Sequence, residues 1–138
     1  MKKVITILLL ATFSSCTPTF EDTFNSKELV SSKNEKIYIN SLNWGVNDDY
    51  QMTIVSSNKN KIKNRLDTVG VIKGFEPFIY SFKNDTLTLI FDGAVSYSIN
   101  EKFKTIGVKY IILNKQDFKK IRNLAYENDD YYAIPIRK

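Results

Sequence analysis

Histidine is missing from the 138 residues, and cysteine occurs once, at Cys16. Imidazole acid–base chemistry, histidine-ligated metals, cysteine–histidine nucleophiles and a disulfide within the chain are therefore excluded, and most hydrolytic templates go with them. Glycine is sparse, and Gly45, Gly70, Gly74, Gly93 and Gly107 are too scattered to cradle a phosphate. Neither Gly-x-Ser-x-Gly nor Ser-x-x-Lys occurs in a strand-to-helix setting. Charge of one sign is also modest: 20 Lys and Arg against 15 Asp and Glu give a formal +5, too small a bias to imply a nucleic-acid partner. The mainly apolar run over 4–13 is ten residues long. As a helix it would measure about 15 Å, roughly half a bilayer's hydrocarbon core, so it is too short for a permanent span.

What is present begins with that run. Lys2 and Lys3 precede it, and Ser14, Ser15 and Cys16 follow it, which is the layout of a cleavable signal peptide. The step Phe13-Ser14-Ser15-Cys16 resembles the lipobox of bacterial lipoproteins, in which small residues precede a cysteine that receives a diacylglyceryl group and becomes the mature N-terminus. The resemblance implies a signal peptide over 1–15, lipidation at Cys16, and a protein held on a membrane of the bacterial cell envelope, expected to be the outer one. Removing residues 1–15 leaves 123 and takes away two lysines and no acid, so the formal charge falls from +5 to +3. Two or three acyl chains, at about 0.8 kcal/mol per buried CH₂, are enough for stable attachment. Ser41-Leu42-Asn43-Trp44-Gly45 and Lys83-Asn84-Asp85-Thr86-Leu87 are similar to segments of small lipoproteins of Gram-negative bacteria, a likeness that implies no activity.

Residues 16–33 read as a lipidated N-terminus and flexible tether: they are rich in Ser, Thr, Asn and charge, with apolar side chains only at Phe20, Phe24, Leu29 and Val30. A coil of that length spans roughly 20 to 25 Å root-mean-square. Residues 34–138 read as one globular domain, because 138 residues supply a single modest core. There the dominant pattern is period-two alternation in short runs, the mark of half-buried antiparallel strands. Ile37, Ile39 and Ser41 share one face, opposite Tyr38, Asn40 and Leu42. Further strands are expected over 50–56, 68–73, 78–82, 86–91, 95–99 and 106–113. Asn84-Asp85 and Asp92-Gly93 are tight-turn pairs, so 78–99 reads as a three-stranded meander. Over 114–126 the period changes to helical, with Asn114 as N-cap and Phe118, Ile121, Leu124 and Ala125 on one face. A last strand over 131–136 is confined to an edge by Pro135. The expected fold is mainly β: an antiparallel sandwich or meander of seven to eight strands with one C-terminal helix.

Two stretches invite a functional reading. Lys59, Lys61, Lys63 and Arg65 alternate, so an extended backbone would put four cations on one face for lipid headgroups, an acidic glycan or an acidic protein surface. With no aromatic residue between the cations, the simpler reading is preferred: a solvated loop or a lysine-guarded edge strand. Trp44, the only tryptophan, lies among turn residues beside Tyr50, where it suits a partner's hot spot, a stacked sugar or a core plug. Asp48-Asp49 and the acids over 127–130 lack calcium-loop spacing and read as turn acids; Glu76 with Asp92 is a conceivable carboxylate pair among many. No cofactor, metal or catalytic activity is expected. The anticipated function is a membrane-anchored binding or structural module that meets an envelope protein or anionic glycan. The rival expectations are an inhibitor or immunity lipoprotein and a carboxylate-based hydrolase.

Overall fold

The structure is a computed structural model and describes residues 21–46, 49–67, 70–73, 77–127 and 130–135. Cys16, Asp48, Glu76 and the middle of the acidic stretch at 128–129 lie outside the described residues.

Alternation does what it implies over most of the chain. Strands β1 (Thr23–Val30), β2 (Lys36–Trp44), β3 (Tyr50–Ser56) and β4 (Ile72–Lys73) pair antiparallel in that order to form a first sheet. Strands β5 (Phe78–Lys83), β6 (Thr86–Asp92), β7 (Gly107–Leu113) and β8 (Tyr132–Ile134) form a second sheet, in the order β7-β6-β5-β8. Helix α1 (Lys115–Glu127) connects β7 to β8. The mainly β class, the sandwich-like pair of sheets and the C-terminal helix before an edge strand are those read from the sequence.

The core follows from strand parity. Phe78, Tyr80, Leu87, Leu89 and Phe91 of the second sheet are buried in one cluster with Leu29, Ile37, Ile39 and Val55 of the first. Ile79 and Ile90, on the opposite face, are buried with Phe118 of α1, and Ile111, Ile121 and Ala125 pack around them. Leu124, expected on the packed face of the helix, is exposed. The first sheet is covered on both faces. Ile39 pairs with Val55 and Leu42 with Met52, so Leu42, Met52 and Ile54 fall on the other face from Ile39, yet they are buried too.

Several sequence expectations are corrected. The segment read as tether contains β1, which matches β2 residue for residue from Thr23↔Asn43 to Val30↔Lys36. An edge strand needs little apolar content when its pairing is complete. Residues 95–99 are not a strand, and 78–99 is not a meander. Gly93 does turn the chain (φ 73°), but 93–106 then crosses over, so β7 runs parallel to β6 instead of antiparallel. Tyr97 accounts for this departure: its ring is buried and its hydroxyl accepts a hydrogen bond from Val55 N–H (3.0 Å), covering the edge of β3 beyond its short pairing with β4. In place of the strand expected over 68–73, the described residues form only Ile72–Lys73. Residues 59–66 are turns, in line with the solvated-loop reading, so the four alternating cations share no strand face.

Candidate functional site

The β2–β3 hairpin places two aromatic rings together. Trp44 closes β2 and Tyr50 opens β3 as its cross-strand partner, and the rings stack with centroids 5.5 Å apart and 15° between planes. Gly45 turns the chain at φ 104°, a conformation in which a Cβ would meet Tyr50 at 3.4 Å. Val46, at the hairpin tip, is 64% exposed, and Tyr50 is 58% exposed.

The turns over 57–67 bring a cation to the same rings. Asn40 of β2 donates from Nδ2 to the carbonyls of Asn58 (2.9 Å) and Lys61 (3.2 Å), and its Oδ1 accepts from Ser26. Ile62 is fully buried against the first sheet. Lys61 pairs with Asp67 at 2.7 Å. The turns thus secured carry the Arg65 guanidinium over the Trp44 ring, 5.4 Å from its centroid. Arg65 is held from its other side by Asp22: Nε donates to Oδ2 at 2.7 Å and Nη2 donates to Oδ1, a two-pronged pairing. The bond from Arg65 keeps the Asp22 carboxyl below its ordinary range, and the Asp22 carboxylate raises Arg65 in turn. Leu66, next in sequence, is 89% exposed.

Of the residues singled out in the sequence, Trp44 and Arg65 therefore meet. Lys61 is engaged by Asp67, and Lys59 and Lys63 stand exposed on the same loop. Tyr50, Val46, Leu66 and Asp22 complete this surface. The sequence signal for them was weak: a lone exposed leucine or valine carries no pattern, and Asp22 sat in the presumed tether.

Several of the described carboxylates are committed elsewhere. A cleft of about 160 Å³ is lined by Ile54, Val55, Lys61, Gly70, Tyr97, Asn100 and Glu101. Burial pushes the Glu101 carboxyl up, but bonds from the Ser56 hydroxyl and from the Ser57 N–H and hydroxyl outweigh it, and the net shift is downward. A general acid needs the opposite shift. Ser56-Ser57-Asn58-Lys59 has the spacing of a serine–lysine pair, but it leaves β3 into turns and the Ser56 hydroxyl is bonded to Glu101. Among the described residues no cluster of three or more acidic or cysteine side chains is placed to hold a metal, and no helix is long and apolar enough to cross a membrane. No protein-family model, curated protein or solved structure matches this chain.

Proposed function

We propose that the chain is a lipid-anchored module of the bacterial cell envelope, attached through Cys16, which works by presenting the Trp44–Arg65 surface to an anionic component of that envelope and catalyses no reaction of its own. The signal-like segment and Phe13-Ser14-Ser15-Cys16 support the attachment. The observation that carries the binding role is the Trp44–Tyr50 stack with Arg65 above it, flanked by exposed Val46 and Leu66. Trp, Tyr and Arg are the side chains that contribute most at binding hot spots. Here the three hold one another in place before any partner arrives, which lowers the ordering cost of association.

The test has two parts. Cells fed a clickable fatty acid should label the wild-type protein, and Cys16→Ser should abolish the label and free the protein from membranes; an unlabelled wild type rejects the anchor. A photo-reactive amino acid at position 66 should form an envelope adduct that weakens with Trp44→Ala, whereas the same probe at Lys119, exposed on α1, should not. Equal adducts at both positions would reject the surface.

A further inference from the structure

We propose that the Trp44–Arg65 surface rests on the headgroup layer of the very bilayer that holds Cys16, so that the partner of this surface is membrane lipid. The proposal depends on the anchor reading above and adds an orientation to it.

Chain length argues first. Asp22 is bound by two hydrogen bonds to Arg65, and Arg65 lies over Trp44. Six residue steps separate Cys16 from Asp22, and an extended chain advances at most about 3.3–3.6 Å per step. Whatever course those residues take, Asp22 is therefore within about 22 Å of the lipidated cysteine. Because Asp22 is fastened to this surface and not to the opposite end of the sandwich, the short leash brings the Trp44 end of the first sheet to the membrane.

Chemistry argues second. Tryptophan and tyrosine settle at the headgroup level, where an amphipathic ring has an apolar body to bury and a polar edge to keep wet. Val46, two residues after Trp44, and Leu66, next to Arg65, are both exposed. Charge adds little: Arg65 and Lys61 are offset by Asp22 and Asp67, Lys59 lies toward Glu28 at the far end of β1, and exposed Lys63 is matched by exposed Glu21 and Asp49, so the rings and apolar side chains carry the assignment.

Trp44 is the sole tryptophan, so its fluorescence reads this surface alone. The acylated full-length mature protein, purified from membranes, is reconstituted into phosphatidylcholine vesicles containing phosphatidylglycerol. Phospholipid brominated near the headgroup should quench Trp44 and shift its emission to the blue, while aqueous iodide should barely reach it. Leu66→Asp changes one exposed loop residue next to Arg65; it should reduce bromolipid quenching and restore iodide access while leaving the urea midpoint unchanged. Protein that floats with the vesicles but is quenched by iodide and not by bromolipid overturns the proposal and leaves the surface facing water, where a protein or glycan would meet it. Undiminished bromolipid quenching in Leu66→Asp overturns the placement of this loop at the headgroups. A mass spectrum showing no acyl group on Cys16, with protein that fails to float, rejects the anchor reading itself and this proposal with it, a result distinct from either of the others.

Discussion

Ile62 shows how a single residue decides where a functional loop goes. It adopts φ 60°, in the left-handed region that β-branched residues avoid, at a cost of about 1–3 kcal/mol. Its side chain is fully buried, and burying an isoleucine contributes about 1.5–3 kcal/mol, which is enough to hold the conformation. Trp44 and Arg65 were conspicuous in the sequence as residue types, but their contact was not, because they are 21 positions apart and joined through β3 and turns whose course depends on this buried residue. Ile62→Ala should lower unfolding stability by about 2–4 kcal/mol in urea titrations. The same variant should alter Trp44 emission before global unfolding, as Arg65 loses its fixed place over the ring. Unchanged stability would show that the loop is held without Ile62.

At the scale of elements, legibility depended on whether a segment's own pattern settled its structure. Helix α1 did so: its apolar spacing was clear, and Asn114 caps it as expected, with Asp117 N–H donating to Asn114 Oδ1 at 3.0 Å. Asp117 also pairs with Lys120 one turn on. Asn114→Ala should destabilise the protein by about 1 kcal/mol, measured from the urea midpoint at constant slope, and a neutral result would mean that packing of Phe118 alone fixes the start of the helix. The β5–β6 turn was equally plain, since Asn84 and Asp85 both take positive φ in the Asn-Asp pair chosen for it. Strand β1 was not legible. It exposes most of one face at a sheet edge, and its structure comes from eight matched positions on β2 that no local pattern in 23–30 reveals.

The whole molecule is assembled by contacts far apart in sequence, and this is where sequence reading failed most. Asp92-Gly93 looked like a hairpin, but the chain crosses over along the edge of the first sheet, where distant groups bond to it. Glu35, in the β1–β2 turn, accepts from Lys104 N–H at 2.8 Å, from Thr105 N–H and from the Thr105 hydroxyl at 2.6 Å. Asp85, in the second sheet, accepts from the Ser32 N–H and hydroxyl. Glu101 closes the edge beyond β3 in the same way. Each bond favours the ionised acid, so these carboxyls titrate below their ordinary values of 4.5 for Glu35 and Glu101 and 3.8 for Asp85. Between the ordinary and lowered values the unfolded chain binds more protons than the folded one, and stability therefore rises with pH there. The contribution is complete above the ordinary carboxylate values and drains away as pH falls through the lowered ones. Urea midpoints should accordingly be level from neutral pH down to about 5 and then fall steeply. Glu35→Gln should be less stable at pH 7, because an amide oxygen is a weaker acceptor for three donors, and should show a shallower acid decline. If the variant kept the full wild-type slope below pH 4.5, Glu35 would not be one of the groups that tie the crossover to the first sheet.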